Sequence, residues 1–269
     1  MTVPTLILTP RYSEDAHALW RAARRLGWQV VRLSTWHIPA HLLTVAEPVV
    51  YLEALFGPML GEQLGLQLAQ PALDWLVHLP ERYRKREVQL ATLSEARALL
   101  RPAFIQPSNE KSFPAGTYSG AQLPRDYAGS MPVLIADAVA WESEYRCFVL
   151  DRVLRTFSLY ARGGASQQAQ EFRCSPSEAL ALQSFVAELL GDPDVELARA
   201  AVLDVGILLG RGWACIAQKP AWGADLYGCD PEEVLQVMRY SSAAPDRLAS
   251  IERHGSYCGA TLTTLKPGV

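Results

Sequence analysis

Short apolar runs alternate with amphipathic stretches along the first part of the chain. Thr5–Leu8 (TLIL) reads as a short buried strand. Ser13 then has the side chain of a helix N-cap, with Glu14 and Asp15 in the first turn, where the helix dipole favours acids. Leu19, Ala23 and Leu26 supply an apolar face, Gly27 supplies a stop, and Trp28–Leu33 returns as a strand. This βαβ opening is followed by a third strand at Pro48–Leu52 and by helical patterns over Glu53–Leu68 and Pro71–Val77, together a small α/β layer.

Further along, Pro80 starts a basic helical stretch, Glu81–Leu90, and Ser94 is placed to cap a helix over Glu95–Leu100. The pattern then turns β-rich. Ala103–Ile105 runs into a polar loop ending in Lys111, Val133–Ile135 is a strand, and Tyr145–Leu150 and Val153–Leu159 form a hairpin about Asp151-Arg152. Gly163–Gln170 is polar and reads as a loop. Ser175 caps a helix over Pro176–Leu190 with Leu180, Leu182, Phe185, Val186 and Leu189 as its apolar stripe. Two strands, Ala201–Leu208 and Trp213–Ile216, joined by Gly210-Arg211-Gly212, and a helix over Pro231–Met238 complete the pattern.

Composition singles out the lysines. Of 25 basic residues only Lys85, Lys111, Lys219 and Lys266 are lysine, and Lys111 and Lys219 each follow an apolar strand. A lysine is a compact point charge suited to a phosphate oxygen, so two strand-end lysines point to an anion site. The net charge of −3 gives no broad footprint for duplex nucleic acid. Five widely spaced cysteines without a CxxC pair argue against a zinc site or a disulfide framework and suggest a reducing compartment. No apolar run approaches the roughly 18 residues of a bilayer span, and the expected location is cytoplasmic, with no membrane partner. A GxGxxG turn after the first strand, a P-loop, a nucleophile elbow and an HExxH are all missing, which removes the commonest alternatives.

Leu79-Pro80 with Arg86, NEKSF at Asn109–Phe113, EYRCF at Glu144–Phe148 and AWGADLYGCDP at Ala221–Pro231 occur in an order that resembles the ATP-grasp superfamily, in particular its small bacterial and phage-associated members. The resemblance implies an α/β and α+β fold: a small N-terminal α/β (pre-ATP-grasp) domain over 1–78, ATP-grasp lobes over 79–140 and 141–240, and an extension over 241–269. ATP would lie between the lobes. Lys111 and Arg146 would contact phosphate, with Arg86 in the same cluster. Ala136, Asp137 and Val139 would form the hinge that reads adenine, covered by Val139 and Trp141. Glu144 and Arg146 alternate with Tyr145, so both point to one face. Trp222 and Tyr227 would wall the substrate side.

The resemblance also makes Asp204 a magnesium ligand, and a carboxylate inside the apolar run AAVLDVGILL needs a cationic partner. The usual companions, a glutamate and an asparagine on the next strand, fall here on Ala217 and Lys219, and Gln106 stands where relatives often carry lysine. Lys219 is therefore expected to pair with Asp204 and to supply charge to the triphosphate, with Asp225 or Glu144 as a further carboxylate. Arg146 and Lys219 become the catalytic candidates. Three functions follow from the resemblance: an ATP-dependent ligase joining an unknown carboxylate to an amine-type nucleophile through an acyl phosphate, an ATP-using RNA ligase or repair enzyme, and a non-catalytic nucleotide sensor or scaffold.

Overall fold

The structure, a computed structural model, describes residues 2–53, 55–108 and 112–243. β1 (Thr5–Leu8), α1 (Glu14–Arg25), β2 (Gln29–Arg32) and β3 (Pro48–Tyr51) form a parallel sheet in the order β2-β1-β3. Parallel neighbours require a crossover, and α1 provides the one between β1 and β2. Ser13 Oγ accepts the Ala16 amide at 3.1 Å, and Gly27 leaves the helix at φ +74°.

The helical patterns expected over Glu53–Leu68 and Pro71–Val77 shrink to α2 (Gly57–Gln63) and α3 (Trp75–His78), with β4 (Gln67–Leu68) between them. Gly61 and Gly65 weaken a longer helix, and Gly65 turns the chain at φ +62°.

The next lobe contains α4 (Glu81–Arg84), β5 (Val88–Thr92), α5 (Leu93–Arg97), β6 (Ala103–Pro107), β7 (Gly116–Tyr118) and β8 (Pro132–Ala136). Its sheet is antiparallel in the order β5-β8-β6-β7. The basic helix expected over Glu81–Leu90 stops after one turn, at Lys85 with φ +47°. The residues beyond it pair with β8 instead, a long-range contact that overrides local propensity. The cap of α5 is Thr92 and not Ser94: Thr92 Oγ1 accepts the Glu95 amide at 3.2 Å while Glu95 Oε2 accepts the Thr92 amide at 2.7 Å.

The last lobe contains β9 (Trp141–Leu150), β10 (Val153–Arg162), β11 (Ala165–Ser166), α6 (Pro176–Gly191), β12 (Ala200–Leu208), β13 (Gly212–Lys219), α7 (Pro231–Met238) and β14 (Ser242–Ala243). An antiparallel sheet runs β11-β10-β9-β12-β13, and β14 pairs with β4. The segment expected as a loop over Gly163–Gln170 holds β11 and one 3₁₀ turn, Gln168–Gln170. Tyr145, Cys147 and Val149 of β9 pack on Leu182, Val186 and Leu189 of α6. Leu180 is 68 % exposed because it lies round the helix from Leu182 and Leu189. The opposite face of the sheet contributes Phe148 and Val202 to a core shared with β1, α1 and α7, so the N-terminal unit and the last lobe are packed as one body. No helix among the described residues is long and apolar enough to cross a membrane.

The start of α6 gives a pH-dependent test. Ser175 Oγ accepts the Glu178 amide at 3.3 Å, Glu178 Oε2 accepts the Ser175 amide at 2.8 Å, and Arg162 donates to Glu178 Oε1 at 2.7 Å. The Ser175 amide, followed by Arg162, lowers the Glu178 carboxyl from its ordinary 4.5 to about 2. The cap's contribution is therefore present above the unfolded value and lost as pH falls through the folded one. Titration by carboxyl-carbon NMR should give a Glu178 midpoint near 2, and Ser175→Ala should move it upward.

Candidate functional site

A cleft of about 590 Å³ is lined by both antiparallel sheets. Strand register orders its walls. At one end lie Val88, Ala136, Val139 and Trp141, close to the crossing between lobes, and toward the other lie Gln106, Asp204, Ala217 and Lys219. Phe104 and Leu134 continue the apolar wall, and Tyr160 of β10 closes it from the last lobe.

The lobes are joined at the first end by polar contacts. Arg86, 7 % exposed, donates to the carbonyls of Cys215 at 2.7 Å and Ile216 at 3.0 Å on β13, and its guanidinium lies 5.1 Å from the Trp141 ring centroid. Burial lowers its pKa. Beside it, Lys85 Nζ donates to Arg211 O and Arg211 Nη1 donates to Lys85 O, both at 2.9 Å. Arg86, expected in the phosphate cluster, lines the cleft at the lobe crossing and donates to the backbone carbonyls of Arg84, Cys215 and Ile216. At the hinge the Asp137 amide donates to Glu87 O at 3.1 Å, and Asp137 Oδ2 accepts the Glu87 amide at 3.3 Å.

Asp204 and Arg146 are adjacent across β12 and β9 and each is 3 % exposed. Arg146 Nε reaches Oδ1 and Nη2 reaches Oδ2, both at 2.9 Å, while Nη1 donates to Asp225 O at 2.8 Å. The expected cationic partner of Asp204 is thus Arg146, correcting the pairing with Lys219. Geometry explains the outcome: a planar guanidinium satisfies both carboxylate oxygens at once, whereas an ammonium is a single point. Burial works against the Arg146 charge, yet Asp204 holds its pKa above the ordinary value. Arg146 itself does not line the cleft, and each of its three side-chain nitrogens donates to a protein group.

Glu144 lies on the same side of β9 as Arg146, as alternation requires, and behind the cleft wall: its Oε2 accepts the Tyr160 hydroxyl at 2.9 Å. Burial raises the pKa of Glu144, opposed by this bond and reinforced by Asp204. Burial also raises that of Tyr160. Tyr227, in the left-handed region at φ +47°, stacks on Tyr160 with centroids 5.0 Å apart and lies 4.6 Å beneath the Arg146 guanidinium. The turn is anchored from the N-terminal unit, where Asp15 Oδ2 accepts the Leu226 amide at 2.9 Å. Burial raises the pKa of Asp15.

Trp222 is not on a substrate wall. It is 1 % exposed, its indole donates to Ala69 O at 2.9 Å, and it packs in the N-terminal core so closely that a Cβ at Gly57 would sit 2.3 Å from its ring. Lys111 lies outside the described residues.

Residues 83–237 match a family model described as an ATP-grasp domain, the second family of its clade. The chain belongs to this ATP-grasp family. No curated protein matches the sequence. Among solved structures, the RimK domain protein ATP-grasp of Sphaerobacter thermophilus superposes over 88 % of this chain and 98 % of its own, with a TM-score of 0.53 and 14 % identity. The D-alanine-D-alanine ligase of Bacillus anthracis complexed with ATP covers 95 % and 100 %, with 0.54 and 13 %. The ATP-grasp ligase PsnB complexed with minimal precursor covers 88 % and 98 %, with 0.51 and 12 %. At such identities the likeness is one of fold.

Within this ATP-grasp cleft the residues do not fit a protein-held magnesium. Asp204 has both oxygens on Arg146, Ala217 stands opposite it in the strand register, and no group of three His, Cys, Asp or Glu side chains able to hold a metal occurs among the described residues.

The site residues that the pattern did not single out include Val88, Phe104, Leu134 and Tyr160. Alternation along β10 carries a signal for Tyr160, but two bulges between β9 and β10 shift the register, so counting from the Asp151-Arg152 turn does not place it beside Glu144.

Two stability tests separate these roles. Asp204→Asn should cost about 3–5 kcal/mol in urea unfolding, because it leaves the Arg146 guanidinium buried without a countercharge. The double variant Arg146→Met/Asp204→Leu should cost less than the single one. Trp222→Ala should cost about 3–5 kcal/mol as an ordinary core truncation.

Proposed function

We propose that the cleft binds ATP and that the protein is an ATP-dependent ligase, activating a carboxylate as an acyl phosphate for attack by an amine-type nucleophile. The observation that carries this reading is the division of the cleft between apolar side chains at the lobe crossing, Val88, Ala136, Val139 and Trp141 beside Arg86 and Asp137, and a polar end at Lys219. A base and a polyphosphate have that same division. ATP-grasp membership supports it, as does the fold shared with ligases, one of them complexed with ATP.

Val88, Phe104, Leu134 and Val139 would enclose the base. Because the Asp137 amide is taken by Glu87 O, the base edge would be read by the Val139 amide and the Asp137 carbonyl. Lys219, with Lys111 from its loop, would neutralise phosphates. Arg146 would act by holding Asp204 and Tyr227 in place. The substrate carboxylate oxygen would attack the γ-phosphorus, breaking the bridging P–O bond and releasing ADP. The amine would then attack the acyl carbon, expelling phosphate and losing a proton. Tyr227 and the exposed Asp225 would face the acceptor.

The comparisons lend no support to an RNA substrate. A non-catalytic nucleotide binder is favoured by one observation, the closure of Asp204 by Arg146.

Calorimetric titration with ATP should show one site. Lys219→Ala should weaken it by about 10- to 100-fold, the worth of one charged hydrogen bond. A folded wild-type protein that ignores ATP would sink the reading, and unchanged affinity in the variant would remove Lys219 from it. Release of ADP in the presence of candidate carboxylates and amines separates a ligase from a sensor.

A further inference from the structure

We infer that the cleft holds its nucleotide as the metal-free polyanion, with lysine rather than a protein-bound divalent cation as the countercharge at the phosphate end. The inference rests on the nucleotide reading above and concerns the ionic form that the site accepts.

The argument starts from the carboxylates. Magnesium bound by a protein usually takes one or two of them. Among the described residues, Asp204 is the carboxylate lining the polar end, and both its oxygens are 2.9 Å from Arg146 nitrogens in a pair whose members are each 3 % exposed. A metal on Asp204 would have to displace that guanidinium and leave it buried without its partner, a costly exchange. Glu144 does not line the cleft and is held by Tyr160. Asp137 lies at the other end, against the Glu87 amide and 3.7 Å from Arg211.

The cations point the same way. A bulge on β13 falls beside Asp204, so that Ala217 stands opposite the carboxylate and Lys219, two residues on, lines the cleft. The Arg146–Asp204 pair is neutral as a unit, and Lys219 and Arg86 bring positive charge to the walls against the one negative charge of Asp137, a small positive excess among the described residues. Such a lining attracts free ATP more strongly than its magnesium complex, which carries less negative charge.

The test is calorimetric titration of wild-type protein with ATP in EDTA and in excess magnesium. Affinity in EDTA equal to that in magnesium, or tighter, is expected. Weaker binding in EDTA than in magnesium overturns the inference while leaving the nucleotide reading standing. No binding in either buffer overturns the nucleotide reading and the inference with it. Lys219→Met should lose at least tenfold in EDTA and Lys219→Arg should restore most of it. Should Lys219→Met, shown folded by thermal unfolding, bind ATP in EDTA as wild type does, lysine is not the countercharge. Independently of any variant, manganese added to the protein alone should give only the EPR spectrum of the free ion, and tight binding would contradict the proposal.

Discussion

Arg146 and Asp204 face each other across β9 and β12 in the middle of the last sheet, and the geometry of the cleft follows from how they are satisfied. Two full charges this deep are tolerated because the guanidinium fork matches the carboxylate and its remaining nitrogen finds Asp225 O. That third bond extends the pair into the turn at Asp225–Tyr227. Arg146 lies over the Tyr227 ring, Tyr227 stacks on Tyr160, and Tyr160 donates to Glu144. One buried ion pair thus sets the floor of the cleft, the shape of the turn beyond it and the environment of the nearby carboxylate.

The same turn is tied to the N-terminal unit by Asp15, and Leu52 at the end of β3 donates to the Trp222 carbonyl at 2.9 Å. Trp222 itself fills the core of that unit. The aromatic turn therefore works as a joint: its backbone and Trp222 bind the N-terminal unit, and Tyr227 stacks on Tyr160 of the cleft wall. On the opposite side, Arg86 and the reciprocal Lys85–Arg211 contacts hold the two antiparallel lobes together where the chain crosses between them. Arginines frame the cleft at both ends by bonding to backbone and to Asp204, and among the described residues Lys219 is the basic side chain that lines its polar end.

For an ATP-grasp protein this arrangement shifts the source of positive charge. A site that closes its own carboxylate with arginine gains a rigid, neutral floor and loses a place for a metal. Catalysis of phosphoryl transfer depends on charge fixed in advance where the transferring group develops its own. Under the function proposed above, Lys219 would be the described side chain at the polar end to supply that charge.

Much of the fold was legible in the residues. The βαβ opening, the caps at Ser13 and Ser175, the Asp151-Arg152 hairpin and the helix Pro231–Met238 all stand where the pattern put them, because each is decided by hydrogen bonds and periodicity within a few residues. The Thr92-x-x-Glu95 box was equally readable, though Ser94 drew the expectation. The order of motifs identified the superfamily, and the strand-end position of Lys219 marked one wall of the cleft. What the chain alone left open were choices between distant partners. Glu81–Leu90 has helical composition but part of it pairs with β8; Asp204 needed a cation, and the fork of Arg146 reached it in place of Lys219; Trp222 had an aromatic's choice of cleft or core, and Gly57 made room for it in the core. Bulges between β9 and β10 and beside Asp204 then set which side chains meet. Local chemistry determines where an element begins and ends, whereas register and pairing depend on contacts far apart in sequence, and only the packed tertiary structure decides those.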